Sequence, residues 1–364
     1  MSVTILHVAD LHLVREGPER DYGLAVLAEI VGLSNELPAD YLLLCGDVFD
    51  SLADMEALRR PFREALEQVA AQVLFLPGNH EQLGAGRQQL SAFDFGKARL
   101  LAARPCELVT LGSGDEPVEF LAIPHQDDYS DYPDWPVPAK QARWRVALAH
   151  GVVAGMSYCG PADDEQGGST LDSDLFSRYQ VDYAALGHIH SRPPDFRDDG
   201  CLLAYSGSAR VWRRGEFGPR GGRLVTLAEE ISTRFVDFPS AGCFRSLALP
   251  LLPDGTLPGL ELPGELHDND YLEVHLQGLV EDENEVARLG ERLQGELAGR
   301  VRRLEIDTSG ITVLAGAASE PAVRQFLELW ENNKPPRDHE DHQMWLRARL
   351  LGLEQLKRHL EKAR

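Results

Sequence analysis

Five short clusters between residues 10 and 190 have the composition of a site that handles charge. They are Asp10-Leu11-His12, Gly46-Asp47-Val48-Phe49-Asp50, Gly78-Asn79-His80-Glu81, His150-Gly151 and Gly187-His188-Ile189-His190. Carboxylate, amide and imidazole donors in this mixture suit divalent ions, Mn²⁺ foremost and Fe²⁺ or Zn²⁺ as well. The thiolates that favour structural zinc are missing from the set. Paired catalytic ions lie about 3.5–4 Å apart. One carboxylate must then bridge them, while other groups complete each shell and leave room for water and substrate. A glycine immediately before Asp47, Asn79 and His188 lets the backbone turn sharply and bring each side chain close.

Each cluster alone has a plainer reading. Asp10 with His12 fits a turn after a strand, Asp47 a helix cap, Asn79-His80 after Pro77-Gly78 a simple turn, and His188 with His190 two surface histidines. The combination is what counts, because every cluster follows an apolar run that has the length of a buried strand. Strand ends are where open α/β sheets build their sites.

Those runs are Ile5 to Ala9, Tyr41 to Cys45, Val73 to Leu76, Phe120 to Ile123, Val146 to Ala149, Tyr183 to Leu186, Leu202 to Tyr205 and Leu224 to Leu227. Between the first two, Leu24, Leu27, Ala28 and Val31 recur at helical spacing, which makes a β-α-β start. Continuous apolar strands imply a sheet covered on both faces with helices outside, as in layered α/β proteins. A Pro- and Gly-rich stretch from 250 to 268 marks a boundary region. Beyond it a strand (Tyr271 to Leu276), a helix (Glu283 to Leu297) and a strand (Val301 to Ile306) predict a small α+β domain.

The 364 residues suffice for two domains. A hydrophobic fraction of 43% and a charged fraction of 26% fit a globular chain. No apolar stretch approaches the roughly 18 residues of a membrane span. The first ten residues lack the basic start and apolar core of a signal peptide, so a cytoplasmic, membrane-free protein is expected. Cys45, Cys106, Cys159, Cys201 and Cys243 are scattered and odd in number, which predicts buried thiols rather than a disulfide framework. The net charge of −22 argues against a protein that grips nucleic acid unaided, although a local basic patch or bound cations can offset it.

The series D-x-H, G-D-x-x-D, G-N-H-E, H-G and G-H-x-H resembles the calcineurin-like metallophosphoesterase superfamily. The finer wording His7-Val8-Ala9-Asp10-Leu11-His12-Leu13, with Tyr205-Ser206-Gly207-Ser208 followed by Arg210 and Gly215-Glu216, resembles its SbcD-type DNA repair exonuclease branch. The resemblance covers about residues 1 to 240. It implies a four-layer α/β/β/α sandwich over 1–240, a small α+β capping domain over 241–333 and a partner-binding helical segment over 334–364.

It also implies a role for each site residue. Asp10, His12 and His190 would hold one metal, Asn79, His150 and His188 the other, and Asp47 would bridge. His80 would face the phosphate without ligating, either touching it or protonating the leaving oxygen. The metals would supply hydroxide near neutral pH and stabilise charge on the attacking and leaving oxygens. Glu81 departs from the Asp more usual in this branch, and the wording of Gly155 to Thr170, with Asp163, Asp164 and Glu165, has no match there.

Outside the ligand set, His7 is expected to face inward with a hydrogen-bond partner, and His125, which follows a strand, is a candidate to line the site. Arg210, Arg213 and Arg214, with Arg220 and Arg223, form a basic run suited either to substrate phosphates or to a solvated turn. From Lys334 to Arg364 eight basic residues stand against five acidic ones, and Leu346, Leu350, Leu353 and Leu360, near Trp345 and Leu356, make an apolar helical face. That face either packs on the chain's own small domain or docks on a coiled-coil ATPase of the SbcC type; DNA contact by the basic face is a third option. Three readings follow: a DNA nuclease acting with such an ATPase, a phosphodiesterase or phosphatase for small compounds or phosphoproteins, and a metal-free scaffold. Pairing of two copies is left open.

Overall fold

The computed structural model describes residues 2–81, 93–112, 117–156, 170–252, 255–259, 264–280, 282–313, 320–336 and 341–363. Asp163, Asp164, Glu165 and Cys159 lie outside them. The chain divides into two compact units, Met1–Phe244 and Arg245–Arg364.

In chain order the first unit contains β1 (Val3–Val8), α1 (Pro18–Glu36), β2 (Tyr41–Cys45), α2 (Leu52–Leu66), β3 (Gln72–Leu76), β4 (Ala98–Leu100), β5 (Glu107–Leu111), β6 (Val118–Ile123), β7 (Trp144–His150), β8 (Val152–Val153) and β9 (Thr170–Leu171). Then come α3 (Asp174–Arg178), β10 (Tyr183–Gly187), β11 (Phe196–Asp198), β12 (Cys201–Tyr205), β13 (Gly218–Pro219), β14 (Gly221–Leu227) and β15 (Ile231–Asp237). Two six-stranded sheets form, ordered β15-β14-β1-β2-β3-β4 and β11-β12-β10-β7-β6-β5. β1 to β4 run parallel, as do β6, β7, β10 and β12.

The period of two along β2 shows why the sheets stack. Leu42 and Leu44 belong to the cluster under α1 and α2, whereas Tyr41, Leu43 and Cys45 pack against Phe120, Val146, Leu148 and Tyr183 of the other sheet. A strand apolar on both faces is stable only between two layers. The far face of the second sheet is covered by a third cluster that includes Tyr129, Trp135, Leu175 and Phe176. The fold is therefore the expected α/β/β/α sandwich, but with a thin fourth layer: one short helix, α3, and a loop rather than a pair of long helices. On α1 the buried face is Val26, Leu27, Ile30, Val31 and Ser34, and Ala28 is exposed. The larger side chains Val26 and Ile30 take the core positions and rotate the helix away from the expected Ala28 face.

The second unit carries β16 (Cys243–Pro250, starting just before the boundary), β17 (Tyr271–Val280), α4 (Glu283–Leu297), β18 (Arg303–Val313), α5 (Pro321–Glu331) and α6 (His342–Ala363). β17 and β18 pair in parallel, and α4 makes the crossover. Leu353 of α6 packs with Leu279 and Val323, beside Phe326 and Leu350, and Leu346 is buried as well. Trp330 and Trp345 donate to each other's carbonyls at 3.2 and 3.3 Å. Of the apolar face after Pro335-Pro336, Leu346 and Leu353 are buried and Leu350 is partly covered, and the Leu360 side chain lies outside the described residues. No helix of the described residues is long and apolar enough to cross a membrane. Cys45 and Cys201 are buried, whereas Cys106 and Cys243 are only partly covered.

One ion pair is built into the second sheet. Glu119 of β6 and Arg145 of β7 are cross-strand neighbours, and both are almost wholly buried. Arg145 donates to Glu119 at 2.7 Å and to the carbonyls of Tyr179 and Pro138, while Glu119 also accepts from the amides of Gln141 and Ala142. Removing one partner leaves a buried charge uncompensated, which costs about 3–5 kcal/mol. Glu119→Ala is expected to lower unfolding stability by that amount in urea titration; a change under about 1 kcal/mol would mean that water reaches the guanidinium.

Candidate metal centre

The loops after β1 and β2 continue the pairing of their strands. The amides of Asp10, His12 and Leu13 donate to the carbonyls of Gly46, Asp47 and Val48 at 2.8–3.0 Å, and Asp50 returns a bond to Leu13. This zipper holds Asp10, His12 and Asp47 at positive φ (54°, 46° and 49°), and His188 has φ 95°. A left-handed backbone costs a non-glycine residue about 1–3 kcal/mol and persists only where the surroundings enforce it. Gly46 (φ 88°) and Gly187 make the close approaches: a Cβ on Gly46 would lie 2.0 Å from the His150 ring, and one on Gly187 would lie 1.9 Å from the Cys45 carbonyl.

Two sheets contribute the donors. Asp10, His12, Asp47, Asn79 and His80 come from the first, His150, His188 and His190 from the second. The His188 amide donates to both Asp10 carboxylate oxygens at 3.0 and 3.1 Å and ties the halves together. One donor atom from each of Asp10, His12 and His190 lies within 4.8 Å of the others, and the same holds for Asp47, His150 and His188. Asn79 Oδ1 is 3.0 Å from His150 Nε2 and 3.1 Å from His188 Nδ1. His12, Asp50 and His80 meet the same criterion.

The far nitrogens decide what these atoms can bind. His12 Nδ1 donates to Asp50 at 3.2 Å, His190 Nδ1 to Glu216 at 2.5 Å and His150 Nδ1 to the Cys45 carbonyl at 2.8 Å. In a neutral ring each bond fixes the proton on Nδ1 and leaves a lone pair on Nε2. His12 Nε2 faces His190 Nε2 at 3.0 Å, and His150 Nε2, where Asp47 holds a second proton, lies 3.0 Å from Asn79 Oδ1 and 3.3 Å from Asp47 Oδ2. Acceptors aimed at acceptors repel unless a cation stands between them, so the donor set fits divalent metal ions.

The electrostatics agree. Burial pushes the Asp10 carboxyl up to about 7, against the opposing pull of His150 and His190. Burial lowers His12 to about 4 and keeps it neutral. Burial also opposes charge on Asp47 and His150. Their mutual attraction prevails, holding Asp47 well below the carboxylate range and raising His150 to about 9. A metal ion would occupy the place of that proton. Glu216 is buried, but His190 and Arg220 hold it down at about 2.

His80 stands apart in geometry. Its Nδ1 donates to the Asp50 carbonyl at 2.6 Å and its amide to Asp47 at 3.0 Å, and Nε2 lies 3.9 Å from Asp47 Oδ2. The ring is partly exposed, unlike His12, His150 and His190. His125 stacks on His188 with centroids 6.0 Å apart and so sits beside the cluster. His7 faces inward, bonded to the Tyr183 hydroxyl at 2.9 Å and the Leu186 carbonyl at 3.2 Å.

Arg210 requires a correction. The guanidinium expected at substrate is fully buried and donates to the carbonyls of Leu11 and His12 and to Glu19. It supports the Asp10–His12 loop from behind, because a buried guanidinium must spend its donors on acceptors at hand. Arg220 and Arg223 are likewise buried, whereas Arg213 is partly covered and Arg214 exposed. Glu81, which departs from the Asp more usual in the resembled branch, accepts from the amides of Asp47, Phe49 and Gly78 at 2.8–3.0 Å and braces two ligand loops. Sequence reasoning assigned no role to Asp50, to Glu216 or to Trp212, whose ring stacks on His12 (5.5 Å, 8°). Asp50 and Glu216 did stand within the quoted motifs.

Carboxylates that orient ligating imidazoles typically contribute 10–100-fold in metal affinity. Glu216→Gln is expected to weaken binding of one ion by about that factor, measured by chelator competition, with the circular dichroism spectrum unchanged. Equal affinity in the variant would mean that Glu216 serves only to fill space.

No curated protein is significantly similar to the chain in sequence. Three solved structures resemble it in fold. GAP50, the anchor in the inner membrane complex of Plasmodium, has TM-score 0.44 at 13% identity over 65% of this chain and 84% of its own. The purple acid phosphatase PPD1 of yellow lupin (Lupinus luteus) seeds has TM-score 0.43 at 15% identity over 67% of this chain and 52% of its own. A dimetal phosphatase from Danio rerio has TM-score 0.44 at 12% identity over 65% and 96%. Residues 3–192, which carry every cluster described above, match the calcineurin-like phosphoesterase family, and the chain belongs to it.

Proposed function

We propose that the protein is a two-metal phosphodiester hydrolase that cleaves DNA in partnership with a coiled-coil ATPase. The observation that carries the hydrolytic reading is the convergence of imidazole, amide and carboxylate groups on the same small volume, with His12, His150 and His190 each tied back through Nδ1. Such ions, when bound, supply a hydroxide near neutral pH and offset the charge that develops on the phosphate oxygens. DNA as substrate, and Mn²⁺ as the preferred ion, rest on the SbcD-like wording of the motifs around Asp10, His190 and Glu216.

The side chains divide the remaining work. Asp47 would be the bridging carboxylate, and its Oδ1 accepts from the His80 amide. His80, oriented by the Asp50 carbonyl and partly open to solvent, is placed to hydrogen-bond the phosphate or give a proton to the leaving oxygen. Arg210 and Glu81 keep the ligand loops in register and stay clear of substrate. The exposed side of α6, with Met344 and Leu351, is what that helix has left for the ATPase.

The net charge of −22 favours a second reading, a small phosphate compound as substrate. Purified protein with Mn²⁺, given end-labelled DNA beside an aryl phosphodiester, separates the two by relative rate. Asp47→Ala is expected to lose both metal and turnover, because a bridging ligand serves two ions. His80→Ala is expected to keep its metal and lose about 10²–10⁴-fold in rate. An emptied site in His80→Ala would make that residue a ligand.

A further inference from the structure

Beside the donor cluster lies an open pocket of about 530 Å³ that the reaction chemistry does not use. Its wall includes His190 and Glu216, and beyond them Ser191, Arg192, Phe217 and Phe235. The volume is in the range of small-ligand sites, about 300–1,000 Å³. Three features of the lining are unexplained by packing. The Arg192 guanidinium carbon lies over the Phe235 ring, 3.3 Å from its centroid, and the residue is exposed. Among the described residues no carboxylate forms an ion pair with it, and Asp237 acts on it only from a distance. The Ser191 hydroxyl is buried without a hydrogen-bond partner. Phe217 is 65% exposed and touches Phe244 only edge-on.

The charge in the pocket is positive where it is free to act. Glu216 is already matched by His190 and by Arg220, which also donates to the Ser208 hydroxyl and the His190 carbonyl. Arg192 is left as the exposed cation, over an aromatic ring. An exposed guanidinium and an exposed aromatic match a ligand that is anionic at one end and planar at the other. A nucleotide has that form: its phosphate pairs with guanidinium, and its base stacks on an aromatic face.

We propose that this pocket is a subsite for the nucleotide next to the scissile phosphate. Arg192 takes its phosphate and Phe217 its base. The proposal rests on the reading of the neighbouring cluster as a phosphodiester hydrolase and adds the residues that hold the strand beside it. A bare phosphate monoester or aryl diester would leave the pocket unfilled, whereas a strand would occupy both places.

The test compares Arg192→Ala and Phe217→Ala with the unaltered protein, both positions being exposed. One readout is kcat/KM for a labelled oligodeoxynucleotide divided by kcat/KM for bis(4-nitrophenyl) phosphate. This ratio is expected to fall about tenfold in each variant, in keeping with the loss of one stacking or phosphate contact. The other is fluorescence anisotropy of the same oligonucleotide in Ca²⁺, where Arg192→Ala should weaken binding by a similar factor. An unchanged ratio together with unchanged binding overturns the subsite. If the protein cleaves the aryl diester but neither binds nor cuts the oligonucleotide, the subsite fails and the hydrolase reading stands. If the variants weaken oligonucleotide binding but the protein cleaves neither substrate, the hydrolase reading fails and the subsite stands.

Discussion

The constraint on which the structure turns is the proton on Nδ1. Three imidazoles at the centre each spend that proton on an oxygen of the fold: Asp50 for His12, Cys45 for His150, Glu216 for His190. What remains on Nε2 turns to a shared space that already contains carboxylate and amide oxygens: a lone pair in neutral His12, and in His150 a proton held by Asp47 whose place a metal ion would take. The zipped loops, positive-φ residues and close glycine contacts hold these donors together. The strain is local. Its stabilisation comes from the two layers of buried strands behind it and from the ion the cluster fits.

Because the donors come from both sheets, the spacing between sheets sets the spacing of the site. Polar ties cross that interior where apolar packing alone would permit sliding. His7 of β1 reaches the Tyr183 hydroxyl and the Leu186 carbonyl of β10, and burial, with Arg223 nearby, keeps its imidazole uncharged, lowered to about 3. Arg223 of β14 donates to the Tyr205 carbonyl and pairs with Asp195. The amide of His188 on Asp10 makes the same crossing at the site itself. Buried polar bonds of this kind have geometry, whereas hydrophobic contact has little, so they fix the register of one sheet on the other.

Most of the sandwich, and the convergence of the candidate ligands at its strand ends, were legible in the sequence, for a physical reason. Parallel strands covered on both faces must be continuously apolar, as Tyr41 to Cys45 is, and ligands at their ends must interrupt that pattern with charge. The short antiparallel edge strands β5, β11 and β15 are half-exposed and carry mixed residues, so their pattern does not stand out. α5, after residues that separate it from β18, has only one buried side chain, Val323, to announce it. Residues acting through another residue are hard to recognise for a different reason. Glu81, Asp50 and Glu216 are set apart only by what they accept, and acceptors that lie distant in sequence leave no periodic mark. Arg210 is the sharpest case: a run of arginines beside a site suggests phosphate, and only burial reveals that its donors are committed to Leu11, His12 and Glu19.

That commitment also bears on how an acidic chain can approach a phosphate. Of the arginines between 210 and 223, three are sealed inside, so the basic run adds less surface charge than its composition suggests. The site's own acids do not repel substrate in proportion to their number. Glu216 is matched by His190 and Arg220, Glu81 is enclosed among backbone amides, and Asp10 and Asp47 face the place where cations fit. A divalent ion at each donor set would reverse the sign of the field at the cluster while the net charge of the chain stayed negative. A chain of −22 can therefore present a locally electropositive centre, with the sign of the field set by bound metal as much as by basic side chains. Removing the ions takes away the electrostatic attraction along with the chemistry, which couples substrate binding to metal content in a way that a basic surface patch would not.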